Sequence, residues 1–249
     1  MFRWLKALSL TLALAALSLF AASCGNNGSA QIRFVHAIQD APALDIDVNG
    51  TQKFNNISFL GVLPNQPGYT SVPSGTDTLA GLLAGTTTQV FSSTVGWSSS
   101  TSYTVVGTGF SKPPGTNGSN VVLLSIPDHI PTPPSGDVEF RVIHASPSGP
   151  GTVDVYIKLN PSSGPTLPVT IPGLAYTQSS SYVDFNFNPN NNPIPPGYTV
   201  YVTASGSTNP IITQQVFPAN SGAARTFILT DVQGGNTMST SLLELSDLN

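Results

Sequence analysis

Arg33-Phe-Val-His-Ala37 recurs 108 residues later as Arg141-Val-Ile-His-Ala145. One inserted residue then brings Asp45-Ile-Asp-Val48 into line with Asp154-Val-Tyr-Ile157. The copies also close alike, Leu123-Leu-Ser-Ile-Pro-Asp128 against Leu242-Leu-Glu-Leu-Ser-Asp247. A period of this length is far beyond a solenoid unit and is the size of a whole domain. The chain therefore reads as a tandem duplication, with copies over residues 31–128 and 137–249. Between them, residues 129–136 contain Ile130-Pro-Thr-Pro-Pro-Ser-Gly136, whose prolines predict an extended, semi-rigid and protease-sensitive spacer. With the copies in separate domains, His36 and His144 are expected to act independently.

Within each copy the apolar residues alternate, or form short runs bounded by Gly, Pro, Asn and Ser. The pattern predicts strands at 31–37, 43–48, 69–72, 78–83, 89–95, 102–107 and 121–126 in copy one. In copy two it predicts strands at 139–145, 153–159, 182–187, 199–204, 211–216, 226–230 and 241–245. Short strands at this spacing, with turn residues between them, predict an all-β chain of two tandem immunoglobulin-like β-sandwich domains. Leu79–Ala84 has some helical character, but it is short and flanked by Gly and Thr, so it too reads as strand. The 23 Gly and 22 Pro of the 249 residues then fit dense turns rather than disorder, because the apolar residues cluster and alternate.

Ahead of copy one, Met1-Phe-Arg-Trp-Leu-Lys6 precedes an apolar run of 16 residues, Ala7 to Ala22, and then Ser23-Cys24. A basic start, an apolar middle and small residues at a boundary predict a secretory signal peptide over residues 1–23. At ~1.5 Å per residue the run reaches only ~24 Å, short of the ~30 Å needed to span a bilayer as a helix. Cys24 is the only cysteine, so it has no partner for an internal disulfide. The boundary Ala21-Ala22-Ser23-Cys24 predicts a bacterial lipoprotein, palmitate-bearing at Cys24 and tethered through residues 24–30, with Ala where a Leu-type residue is usual. The membrane is thus one expected partner and the cell envelope the expected location. Because Gly25, not Asp, follows the cysteine, the outer membrane is expected where the organism has two.

Removal of Arg3 and Lys6 with the signal leaves six Lys and Arg against twelve Asp and Glu. A mildly acidic chain without a basic stripe is a poor ligand for nucleic acid, and none is expected as a partner.

Arg33-Phe-Val-His-Ala37, the Pro-containing Gln39-Asp-Ala-Pro42 and Asp45-Ile-Asp-Val-Asn-Gly50 together resemble the opening of the bacterial domain of unknown function 4397 family. Gly68-Tyr-Thr-Ser-Val-Pro-Ser-Gly75, Thr101-Ser-Tyr-Thr-Val-Val-Gly107 and Val122-Leu-Leu-Ser125 extend the resemblance through copy one. Copy two keeps His144-Ala-Ser-Pro147, Val153-Asp-Val-Tyr156 and the closing strand, but its middle departs at Asn186-Phe-Asn-Pro-Asn-Asn-Asn-Pro193. The resemblance implies tandem β-sandwiches on exported or lipid-anchored proteins, and it brings no activity with it.

His36 and His144 recur with their neighbours, one per copy, and a lone imidazole makes no zinc site. Each is expected to tie its first strand to the following Pro-containing loop as a structural group, in a motif with Arg33, Asp45, Arg141 and Asp154. Asp40, Asp45 and Asp47 invite comparison with a calcium site, but Asp45 and Asp47 share one strand face and the pair is not repeated in copy two. A solvated strand face is the expectation, with no metal and no cofactor. The chain lacks the G-x-S-x-G, H-E-x-x-H and P-loop motifs, and Gly107-Thr-Gly109 is not followed by a third glycine. His129 lies beside the spacer, a poor place to preorganise catalysis. Trp97 in Val95-Gly-Trp-Ser98, and the loop from Asn186 through Asn190 to Gly197, are the candidate contact surfaces. Tyr69, Tyr103, Tyr182 and Tyr198 read as core or half-buried residues. The expected function is a non-catalytic, lipid-anchored envelope protein that binds an envelope protein or glycan or serves as a spacer. The alternative is an envelope hydrolase or metal-dependent enzyme with an unfamiliar site.

Overall fold

The computed structural model describes residues 28–112, 120–130, 132–134, 137–160, 162–186, 197–216, 222–233 and 240–248. The signal segment, Cys24 and Asn190 lie outside them, and of Asn186 only the backbone position is described.

The first half contains β1 (Ser29–Ile38), β2 (Leu44–Val48), β3 (Thr51–Ile57), β4 (Val62–Leu63), β5 (Thr70–Pro73), β6 (Gly75–Leu83), β7 (Gln89–Trp97), β8 (Ser102–Gly109) and β9 (Val122–Pro127). One sheet has the order β3-β2-β6-β7 and the other β4-β1-β8-β9, with β5 also paired to β1. The second half contains β10 (Asp137–His144), β11 (Thr152–Leu159), β12 (Ile171–Ala175), β13 (Val183–Asn186), β14 (Tyr198–Ala204), β15 (Pro210–Val216), β16 (Ala224–Asp231) and β17 (Thr240–Leu248). Its sheets, β12-β11-β14-β15 and β13-β10-β16-β17, repeat the plan of the first half. In both halves the opening strand runs parallel to a late one, β1 beside β8 and β10 beside β16, because the chain crosses to the other sheet before returning.

The chain is all-β as its alternation predicts. Among the described residues β3, β4 and β12 are additions to the predicted strands. β3 follows a two-residue hairpin at Asn49-Gly50, both with positive φ (51° and 72°), the geometry that matches strand twist. Its sequence Thr51-Gln-Lys-Phe-Asn-Asn-Ile57 is polar because it is an edge strand, with only Phe54 and Ile57 buried. Leu79–Leu83 lies in β6, where Gly81 leaves room for the Phe91 ring: a Cβ there would sit 2.1 Å from the ring edge.

Three apolar layers order the four sheets. Ile32, Phe34 and Ile38 of β1 meet Leu44, Ile46 and Leu79 of the facing sheet in the first core. Phe140, Val142 and Phe227 meet Val155, Val200 and Val202 in the second. The third layer joins the halves: Val35, Ala37, Val106 and Leu124 pack on Ile143, Ala145, Ile228 and Leu245. Both faces of β1 and β10 are therefore covered, so these strands read as near-continuous apolar runs rather than strict alternations. The two sandwiches are therefore joined by an apolar layer as well as by the residues between them. The faces turned away from each core are themselves apolar, and they bury each other.

Candidate functional site

Inside the layer between the halves lies a symmetric cluster built from the repeated residues. Arg33 and Arg141 occupy equivalent strand positions, next to Thr104 on β8 and Thr226 on β16. Each guanidinium Nε donates to its own threonine, at 2.8 Å for Arg33 and 3.0 Å for Arg141. The Nη2 groups cross over. Arg33 donates to Asp247 of the second half, and Arg141 donates to Asp128 of the first at 2.7 Å. Each aspartate also accepts from its own half. Asp128 takes Tyr69 Oη at 2.8 Å and Thr104 Oγ1 at 2.6 Å, and Asp247 takes Tyr182 Oη at 2.9 Å and Thr226 Oγ1 at 2.6 Å. The tyrosine rings lie against the guanidinium groups, with centroids 5.2 Å from Arg33 Cζ and 4.8 Å from Arg141 Cζ.

All four charged side chains are nearly or fully excluded from solvent. Arg33 also lies 3.6 Å from Asp128, so the two crossings are electrostatically linked. Burial opposes the charged Arg33, yet Asp247 and then Asp128 outweigh it and hold its pKa above the ordinary value. Burial first, and then the charge of the aspartate each one donates to, push the Tyr69 and Tyr182 hydroxyls far above their ordinary range, so both stay donors. The pattern, residue i on j and j on i, is that of a two-fold dimer interface carried within one chain.

His36 and His144 point into their own sandwiches. Nδ1 accepts a backbone N–H, from Ile38 at 3.2 Å and Ser146 at 3.4 Å, so Nε2 carries the proton. Nε2 donates to Pro42 O at 3.0 Å and to Pro150 O at 2.8 Å, which fastens strand to loop. Burial lowers both imidazole pKa values, against opposing bonds to those carbonyls, so both rings fold neutral. A folded pKa below the ordinary ~6.5 means full stabilisation above that pH and loss as pH falls through the folded value. His36→Ala and His144→Ala should each cost about 1–3 kcal/mol at neutral pH. The deficit relative to wild type should shrink toward pH 4 in denaturant titrations.

Asp45 departs from the solvated strand face expected of it, and it bonds as its counterpart Asp154 does. Instead of facing solvent, Asp45 is 9% exposed and accepts Asn56 N at 2.7 Å and Gly85 N at 2.9 Å. Asp154 accepts Gly173 N at 2.7 Å, Gly206 N at 2.8 Å and Ser205 Oγ at 3.2 Å. All four backbone donors have positive φ, from 51° to 77°. Their N–H groups leave the strand ladders at turns, and the aspartate supplies the missing acceptor. Trp97 is also corrected: it is 4% exposed and meets Tyr103 edge-on at 5.2 Å. It continues the inward phase of Phe91 and Val95 along β7, so it belongs to the first core.

One further group escaped the sequence reading. Glu139 on β10 faces Asp184 on β13 directly across the ladder, and both line a half-open cleft of about 470 Å³. The cleft is also bounded by Pro127, His129, Arg141 and Tyr182. Glu139 is 6% exposed, and its Oε2 has no hydrogen-bond partner among the described residues. Burial first, then the hydrogen bond to Asp184 and the charges of Asp184 and Asp137, push its pKa up to about 7. Because the folded value is raised, protonated Glu139 contributes stability that is fully present below the ordinary ~4.5 and is lost as pH rises toward 7. Glu139→Gln should match wild type near pH 4 and exceed it by on the order of 1 kcal/mol at pH 8, read from urea unfolding.

The signal for the inter-half cluster was present in the repeated closing residues Asp128 and Asp247. The signal for the carboxyl pair was the reverse, a place where the copies differ: the equivalent pair in the first half is Gln31 and Ser71.

A search of the curated proteins finds no match. Among solved structures, one match is the crystal structure of CBMbc (family CBM26) from Eubacterium rectale Amy13K in complex with maltoheptaose. It shares 9% sequence identity at a TM-score of 0.26, covering 86% of this chain and 95% of that chain, a likeness too low to carry an argument about ligands. The family model for a domain of unknown function, DUF4397, matches residues 30–156, from the first strand into β11. That span is just over half of the chain and contains both copies of the Arg-x-x-His-Ala opening, and the chain belongs to the DUF4397 family.

Proposed function

We propose that this protein is a non-catalytic, lipid-anchored component of the bacterial cell envelope, in which two fused β-sandwiches act as one rigid binding or structural body. The observation that carries this reading is where the repeated polar residues go. Arg33, His36, Asp45 and their counterparts Arg141, His144 and Asp154 all bond to protein groups that hold strands, turns or halves together. A motif consumed by architecture supports a scaffold whose specificity resides elsewhere on its surface.

Anchoring rests on the signal-like start and on Cys24. Since β1 begins at Ser29, only Gly25–Gly28 separate the lipidated residue from the sheet, at most ~14 Å of extended chain. The first half would then lie at the membrane surface. Cys24→Ser should shift the protein from the membrane fraction to a soluble or unprocessed exported form and abolish palmitate labelling. Wild-type protein that is soluble without detergent and takes up no label would refute the anchoring.

A further inference from the structure

The two halves repeat almost every polar contact described above, so the places where they differ are informative. Gln31 pairs with Ser71 in the first half, whereas the same register position in the second half sets Glu139 against Asp184. Like charges directly opposite each other on a ladder destabilise it, so the substitution works against the fold. Among the described residues no cation pairs with either carboxylate. Arg141 borders the same cleft, but its Nε is on Thr226, its Nη2 on Asp128 and its Nη1 on Pro127 O. Independently of the charge, Glu139 Oε2 is a buried acceptor with no partner among the described residues, on a residue 6% exposed, in the wall of a cavity of about 470 Å³. Buried polar atoms are rarely left unsatisfied, and one that lines a cavity points to an occupant.

The chemistry of the wall narrows that occupant. The acceptors are two carboxylates and the hydroxyl-bearing segment Ser179–Ser181, so a hydrogen-bond donor with positive charge is required. A calcium ion takes six to eight oxygens. Among the described residues no three His, Cys, Asp or Glu side chains converge into a group that could hold a metal ion. An ammonium group needs only two or three acceptors and carries three donors of its own. The cavity volume lies in the ordinary range for a small organic ligand.

We propose that this cleft binds a primary ammonium group, held between the Glu139 and Asp184 carboxylates. The ammonium sits between the two carboxylates, donates to the free Glu139 Oε2 and removes the like-charge conflict across β10 and β13. This inference goes beyond the envelope-scaffold reading and does not depend on where the chain resides. The same chemistry is offered by a small amine, such as an amino sugar, or by a lysine side chain of another protein.

The test uses the full mature chain with glucosamine and with Nα-acetyl-lysine amide as probes. N-acetylglucosamine, tetramethylammonium and calcium chloride are the comparisons. At about pH 8 both amines should raise the melting temperature by a few degrees at millimolar concentration, and the tighter of the two identifies the source. Binding should be at least tenfold weaker at about pH 5, where protons compete for the Glu139 carboxylate. Backbone amide NMR signals should move at Glu139 and Asp184 but not at Gln31 and Ser71. Glu139→Gln and Asp184→Ser bring this pair toward the Gln31–Ser71 pair the first half already carries, and each should lose the response while remaining folded. Stabilisation by calcium but by neither amine, no response to either amine at pH 8, or an undiminished response in a folded variant would overturn the proposal.

Discussion

Arg33→Ala is expected to lower the unfolding free energy of the whole protein by about 3–5 kcal/mol, the cost of leaving a buried charge without its partner. The substitution strands Asp247 in a dry layer where, among the described residues, only Tyr182 and Thr226 still donate to it. It also removes a bond from Thr104 and the cation from the Tyr69 ring. Arg141→Ala should cost a similar amount through Asp128. Because Arg33 Nη2 lies 3.6 Å from Asp128 as well, the two losses should not add. A double-mutant cycle by urea unfolding should give a coupling energy of at least about 0.5 kcal/mol. Additive losses would mean that the halves do not communicate through this cluster. Exchanging both ion pairs for apolar residues of similar volume is a different experiment and should cost far less, since desolvation offsets much of the gain from a buried pair.

Cutting the chain between the halves should leave one particle of unchanged mass. A protease site placed within residues 129–136 severs the only covalent link, but the halves share an apolar layer as well as the crossed ion pairs. Size-exclusion chromatography with light scattering should find the cut protein intact, with both fragments in one peak. Ile143→Asp places an unpaired carboxylate in that layer, at a cost of several kcal/mol. The cut variant should then separate into two particles while the uncut one remains a single chain. Wild-type protein that falls apart on cutting would show that the halves are beads on a tether, as the proline-rich spacer alone suggests.

The alternation of apolar residues and the spacing of turn residues determined that this chain is all-β, and roughly where its strands lie, because side-chain alternation is a property of each strand by itself. The repeat likewise showed that Arg33 and Arg141, or His36 and His144, occupy equivalent places. Alternation does not say what covers each face. β1 carries Phe34 on one side and Arg33, Val35 and Ala37 on the other, and only the packed structure shows the second side covered by the other half. For the same reason Trp97 read as a turn residue until its phase with Phe91 and Val95 placed it in a core, and Asp45 read as solvated until the turns at Asn56 and Gly85 folded onto it. Arg33 and Asp247 stand 214 positions apart, and their contact exists because two opposed sheets exclude water from both. Which charges find each other across such a layer depends on how the halves are set together, which no local pattern encodes.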